Sequence, residues 1–280
     1  RAVTLLCLYL TLPVMGWLAV RYSGMPVAGP LTVLFVLTCP LYIFYARSFL
    51  IDMMALMFSL WFAVGFVRVQ DGGGRAWLIL ANLAGLAAGV IKITTLMVVA
   101  LPLGVFLLGR IRQGAWSGAI VKTTLKRWSA VSLLPMAGIL AWMHFADVVK
   151  ARNPQGELIT GESLGRYVFG DLAVRMDPQM WAEQWRIIST NLIHPWLALL
   201  LAVGATVGLL RGHWRWGGAV IMFAVGPVVF PWLYSIHEYY FIAVGGFVAL
   251  ALAIGVGRLM KRSCPGWLLI VVILTIIAAQ

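Results

Sequence analysis

Apolar runs of about the length that crosses a bilayer, roughly 20 residues, recur along the chain, and nearly all the charge sits in the gaps between them, one of which is long. Runs of this kind leave little choice of fold. Lipid offers no partner to a free backbone amide, and the runs are too long for the strands of a closed barrel, so each is expected to be helical. Their approximate limits are 2–20, 30–45, 53–69, 76–91, 93–109, 128–146, 194–211, 217–233, 239–257 and 266–280. The expectation is an all-α polytopic membrane helix bundle of about ten transmembrane segments over residues 1–280, carrying a short helical loop at 147–193 on the non-cytoplasmic side. With 62% hydrophobic and 11% charged residues and a mean hydropathy of +0.95, there is too little polar sequence to cover a soluble core of this size.

A formal net charge of +12 would suggest nucleic acid in a soluble domain. Here the basic residues occupy the gaps between apolar runs, where membrane topology and anionic headgroups account for them, so membrane lipids are expected as partners and nucleic acid is not. Cys7, Cys39 and Cys264 show no Cys-x-x-Cys or Cys/His spacing, so no disulfide framework and no metal site are expected. The chain opens on Arg1 and enters an apolar run at once, as a fragment lacking its natural start would.

If the segments alternate, one face collects thirteen basic residues: Arg21, Arg68, Arg75, Arg110, Arg112, Lys122, Lys126, Arg127, Arg211, Arg215, Arg258, Lys261 and Arg262. Asp71 is the only acid among them, and the positive-inside rule makes this face cytoplasmic. The opposite face receives Arg47, Asp52, Lys92, the 147–193 loop and the turn Ser235–Tyr240, with eight of the nine acidic residues. Any chemistry is expected there.

Three features read as structural. Asp71-Gly72-Gly73-Gly74 is a tight turn, and no Gly-Lys-Ser/Thr follows to make it a phosphate loop. The linker Arg110–Arg127 is basic and mildly amphipathic through Ile111, Trp116, Ile120, Val121 and Leu125, which suits the inner leaflet. Gly85-xxx-Gly89 suits close helix packing.

The 147–193 loop is the only long polar stretch. It opens on the turn Asn153-Pro154-Gln155-Gly156 and carries Glu162, Arg166, Tyr167, Asp171, Arg175 and Asp177. In 178–191, Trp181, Trp185 and Ile188 recur at helical spacing, with Glu183 and Arg186 on other sides. This predicts a short helix lying in the interface, whose aromatic residues serve either as membrane anchors or as a stacking surface for a sugar.

Two ionisable groups five residues apart, Arg47 and Asp52, lie at the mouth of two apolar segments, which suggests a function for them. Lys92 marks the next outer turn, and His237-Glu238-Tyr239-Tyr240 caps a later one. Arginine grips phosphate with a planar fork and lysine adds a point charge, so the group suits a phosphate site. The simpler alternative pairs Arg47 with Asp52, lets Lys92 reach the headgroups and leaves His237 to anchor a helix end.

Three stretches resemble a known family. Pro40-Leu41-Tyr42-Ile43-Phe44-Tyr45-Ala46-Arg47-Ser48-Phe49-Leu50-Ile51-Asp52-Met53 looks like its proline-containing helix ending in an Arg-Ser…Asp pattern. Gly85-Leu86-Ala87-Ala88-Gly89-Val90-Ile91-Lys92, followed by an apolar run with Pro102, is similar to its helix ending in lysine. His237-Glu238-Tyr239-Tyr240 is similar to its His-x-Tyr-Tyr element. The family is the branch of the GT-C glycosyltransferase superfamily that holds protein O-mannosyltransferases and the aminoarabinose transferases of lipid A, family 39 and its relatives. The matches occur in family order and cover most of residues 30–257.

The resemblance implies a glycosyltransferase in the bacterial inner (plasma) membrane that takes a hexose or pentose from a polyprenyl-phosphate donor. The acceptor is a protein, lipid or glycan on the periplasmic or extracellular side. Lys92, Arg47, His237 and Tyr240 would then bind the donor phosphate, with the sugar as the alternative for His237 and Tyr240, and Asp52 would be the catalytic carboxylate that orients the acceptor or a donor hydroxyl. The family's first transmembrane helix and its first outer loop, with an acidic catalytic motif, are expected to lie before Arg1. No cofactor is implied with certainty, and a divalent cation is left open. A transporter or lipid flippase using Arg47, Asp52 and Lys92 as its path is the rival from another class, and a structural subunit of a membrane assembly is a third reading.

Overall fold

The computed structural model describes residues 1–113, 117–153, 155–156, 160–261 and 265–278. Trp116, Pro154, Arg262 and Cys264 lie outside the described residues, as do the side chains of Arg110, Arg112, Glu162 and Arg166. The described residues form helices and no strand. In chain order the helices are α1 (Ala2–Ser23), α2 (Ala28–Thr38), α3 (Pro40–Tyr45), α4 (Asp52–Gln70), α5 (Arg75–Gln113), α6 (Gly118–Ala151) and α7 (Gly161–Phe169). They continue with α8 (Leu172–Met176), α9 (Pro178–Asn191), α10 (Pro195–Leu210), α11 (Trp214–Val229), α12 (Pro231–Ile236), a 3-10 turn Glu238–Phe241, α13 (Ile242–Lys261) and α14 (Gly266–Ala278).

Among the described residues, five helices are long and apolar enough to cross a membrane, or six if the bent pair α9–α10 is one span. Against the roughly ten segments expected from the sequence, the described residues thus show five or six of spanning length and composition, and prolines explain part of the difference. The run expected at 30–45 breaks into α2 and α3 at Cys39, and the run expected at 217–233 breaks into α11 and α12 at Phe230. Each break falls on the residue before a proline, Pro40 or Pro231, where the ring disfavours helical backbone. The runs expected at 76–91 and 93–109 are joined as α5, which has non-helical backbone at Lys92 (φ −160°, ψ 94°).

The chain divides into two compact units. The first comprises residues 1–50 and 168–280, the second residues 51–167.

In the first unit α13 is the core helix, apolar from Ile242 to Gly257 and packed against α2 and α11. Tyr42 on α3 is fully buried and donates its hydroxyl to the carbonyl of Ile242 at 2.8 Å, fixing the start of α13. The axes of α9 and α10 differ by 108°. α9 turns Met180, Gln184 and Ile187 inward, while Trp181 and Trp185 stay 38% and 47% exposed. The tryptophan stripe expected to face the interface is thus the outward one, and a second stripe holds the helix to the protein.

In the second unit, α4 leads through a turn into α5. Gly72 adopts φ +92°, Gly72 N–H donates to Val69 O (3.0 Å) and Gly73 N–H to Arg68 O (2.8 Å). This is the helix ending in which a left-handed glycine satisfies the last carbonyls, as expected of Asp71-Gly72-Gly73-Gly74. The same helix end is held from α6, where Arg127 donates to Gln70 O (2.7 Å) and Gln70 Nε2 donates to Thr124 O (3.3 Å). The linker expected on the inner leaflet is therefore, from Gly118 onward, the first part of α6, a 34-residue helix. At about 51 Å it outreaches a hydrocarbon core of about 30 Å.

Gly85 and Gly89 provide the close approach expected of them. A Cβ at Gly85 would stand 2.8 Å from Phe62 Cδ2 on α4 and 3.1 Å from Pro135 Cγ on α6, and one at Gly89 would collide with Ile139. Gly89→Leu forces these helices apart, an overpacking cost of about 1–3 kcal/mol. It is expected to lower the unfolding midpoint of the purified protein in detergent, whereas Gly104→Leu, where a Cβ meets nothing within 4 Å, should leave it unchanged.

Candidate functional site

α4 and the first arm of α5 form a helical hairpin, and its open end carries the most unusual polar contact of the second unit. Asp52 stands 18 residues before Gln70 and Lys92 stands 17 residues after Arg75. At 1.5 Å per residue the two arms rise about 27 and 26 Å from the turn, which brings the carboxylate and the ammonium level. Lys92 Nζ donates to Asp52 Oδ1, and the two side chains are only 12% and 5% exposed.

Local structure favours both charges. Asp52 is the first residue of α4, where the unpaired amides at a helix N-terminus attract a carboxylate. Lys92 closes the first arm of α5, where exposed carbonyls attract a cation. Its extended backbone interrupts the helix, and a helix restarting beyond it has first-turn amides without intrahelical carbonyls. Within that turn Thr94 Oγ1 is buried without a hydrogen-bond partner. A cation, an unfilled hydroxyl and a helix N-terminus thus lie within three residues of one another.

An open apolar groove of about 570 Å³ runs between α5 and α6 in the same unit. It is lined by Leu83, Leu86, Ala87 and Val90 on one side and by Gly138, Ala141, Trp142 and Phe145 on the other. The α5 residues form one helical stripe whose last member lies two positions before Lys92.

The other expected site residues belong to the first unit. Arg47 follows α3 and is exposed. The simpler alternative from sequence spacing gave Asp52 the partner Arg47; the partner observed for Asp52 is Lys92. His237 separates α12 from the 3-10 turn in extended backbone (φ −133°, ψ 106°) and stacks on Tyr239 with centroids 5.0 Å apart and planes 19° apart. Tyr239 in turn stacks on Tyr240 at 5.0 Å and 28°.

Beside this stack is a cluster that residue spacing did not indicate. Tyr45 donates its hydroxyl to Glu238 Oε1 at 2.5 Å, and Asn191 Nδ2 donates to Glu238 Oε2 at 2.7 Å. These contacts join α3, the end of α9 and the 3-10 turn across 193 and 47 residues of sequence. The only sequence signal was that Glu238 is an acid set between His237 and two tyrosines. Among the described residues, no group of three or more His, Cys, Asp and Glu is placed to hold a metal ion.

Comparison of the chain with protein-family models, with curated proteins and with solved structures found no match.

Proposed function

We propose that this chain is the transmembrane part of a glycosyltransferase that takes a sugar from a polyprenyl-phosphate donor and passes it to a protein, lipid or glycan acceptor outside the bacterial inner membrane. The observation that carries the reading is the buried Lys92–Asp52 pair at a helix break, on the same helix whose preceding turns line an apolar groove. A lipid-linked phosphate sugar needs these two environments side by side, an apolar path for its tail and cationic or N–H donors for its phosphate.

In the reaction the bond between the sugar's anomeric carbon and the phosphate oxygen breaks, and its electron pair leaves on the polyprenyl phosphate. The acceptor oxygen forms the new bond to that carbon and loses its proton to a base. Lys92 stabilises the charge gathering on the departing phosphate. When the phosphate takes the ammonium, Asp52 gives up its partner and turns to the incoming hydroxyl, which it orients or deprotonates. Arg47, His237 and Tyr240 serve the donor phosphate in this reading, as the family resemblance implies.

The finer topology follows the same reading. The two arms of α5 count as two spans, and α2 with α3, and α11 with α12, are spans broken at proline. Together with α1, α4, α6, α10, α13 and α14 they make ten, with the basic gaps in the cytoplasm.

The break at Lys92 also favours a second reading, because transporters place ion sites at interrupted helices. Such sites lie near the bilayer middle, however, and Asp52 begins a helix of spanning length, so its pair with Lys92 belongs at the rim.

The test is turnover in proteoliposomes supplied with a panel of polyprenyl-phosphate sugars, read as release of polyprenyl phosphate. Wild type should turn over at least one donor, and Lys92→Ala should reduce the rate by about 10²–10³-fold, the usual loss when one such donor group is removed. Asp52→Asn should be similarly impaired. Solute uptake that needs no lipid donor, with no donor consumed, would overturn the enzyme reading in favour of the transporter.

A further inference from the structure

We propose that Glu238, held by Tyr45 and Asn191 beside the His237–Tyr239–Tyr240 stack, is a sugar-binding subsite that grips a pair of adjacent hydroxyls on a pyranose or furanose ring. The proposal deepens the transferase reading and rests on it for the source of the sugar, although the binding it describes requires no transfer.

The argument starts from how Glu238 is satisfied. A carboxylate offers about four acceptor positions, and among the described residues each oxygen of Glu238 receives one hydrogen bond from a neutral donor. The nearby cation is Arg186, within electrostatic reach of Glu238, but its guanidinium is bonded to Glu183 Oε2 at 2.7 Å on its own helix. A half-buried carboxylate that ties three elements together through neutral donors alone is a costly tie, since a neutral amide could accept from Tyr45 and donate to a reversed Asn191 amide with less desolvation. The charge is explained if a ligand adds further O–H donors. The two oxygens of one carboxylate are spaced to receive two neighbouring hydroxyls, and each such bond is charge-assisted.

The second half of the argument is the surface next to it. His237, Tyr239 and Tyr240 are each half-buried, and their ring planes lie 19° to 28° apart. An aromatic face carries negative quadrupole density and meets the weakly positive C–H face of a sugar favourably. A carboxylate at the rim of such a stack reads hydroxyls from the edge while the rings take the apolar face. The extended backbone at His237 and the 3-10 turn after it place four consecutive residues, 237–240, in this one patch. A regular helix would spread them around its axis.

The experiment is saturation-transfer NMR on the full chain in lipid nanodiscs, with the methyl glycosides of glucose, galactose, mannose and xylose as probes and cyclohexanol as an apolar ring with one hydroxyl. At least one glycoside should receive saturation at its ring C–H protons and cyclohexanol should not. Glu238→Gln should weaken that glycoside by tenfold or more while the unfolding midpoint moves little, and Tyr239→Leu should also weaken it. Equal binding by wild type and Glu238→Gln, or no glycoside exceeding cyclohexanol, overturns the proposal. If Glu238→Gln does not fold, photolabelling of the wild-type protein with a diazirine glycoside gives the answer. Label in 234–241 or 186–191 supports the subsite, and label confined to other peptides overturns it. Glycoside binding without donor turnover sinks the transferase reading alone, and donor turnover with no binding at Glu238 sinks the subsite alone.

Discussion

Lys92→Met and Asp52→Leu will each destabilise the protein sharply, and the double variant Asp52→Leu/Lys92→Met will recover most of the loss while remaining inactive. The reason is an asymmetry in buried ion pairs. Each charge is expensive to remove from water, and the partner offsets that expense, so deleting one partner strands the other and costs about 3–5 kcal/mol. Replacing both by apolar side chains of similar volume removes the two desolvation penalties together and is close to neutral. In a chain of this size a loss of 3–5 kcal/mol lowers the unfolding midpoint by on the order of 10 °C. The measurement is thermal unfolding in detergent for the wild type, both singles and the double, with donor turnover measured in parallel. Single losses that simply add in the double variant would mean that the two groups are not coupled, and the site assigned to them would fall with that result. A double variant that is both stable and active would leave the ion pair without a chemical role.

Much of the fold was legible because the apolar runs report helices directly. The breaks at Cys39 and Phe230 were legible as well, since Pro40 and Pro231 stand where the residue before a proline resists helical backbone, but length alone treated those runs as continuous. Lys92 was readable as a boundary, though not as one extended residue inside a 39-residue helix. For the site, nearness in sequence suggested Arg47 as the companion of Asp52, whereas the fold pairs Asp52 with a lysine 40 residues away. Counting residues to the glycine turn would have shown the two hairpin arms to be of equal length. Nothing comparable predicts the contact of Tyr45 with Glu238, which depends on how α3, α9 and the 3-10 turn pack.

The same limit applies to Arg175, which read as one more polar residue of the loop, and to Gln184, inside the expected helix 178–191; both are expected to be strongly stabilising. α11 ends at Val229 and Pro231 follows, so the carbonyl of Pro227 faces a residue with no N–H to offer. Gln184 Nε2 reaches Pro231 O at 2.7 Å and Pro227 O at 3.5 Å. Arg175 donates to Val228 O at 2.6 Å, Val229 O at 3.3 Å and Phe169 O at 2.7 Å. The polar loop thus covers the carbonyls that the proline break exposes, and Arg175 sets a positive charge at the negative end of α11. In apolar surroundings an uncovered carbonyl has no water to turn to. A hydrogen bond to a charged group contributes about 1.5–3 kcal/mol, and a buried acceptor left unsatisfied costs about 1–3 kcal/mol. Arg175→Met and Gln184→Leu should therefore each lower the unfolding midpoint by several degrees. Combined, they should expose the α11–α12 junction to backbone amide exchange at Tyr234 and His237, whose N–H groups bond Phe230 O and Leu233 O. Arg175→Lys should restore only part of the loss, because a single ammonium cannot span three carbonyls as the planar guanidinium does. Unchanged exchange at the junction in the double variant would show that the break is held by other contacts and that the loop merely rests on it.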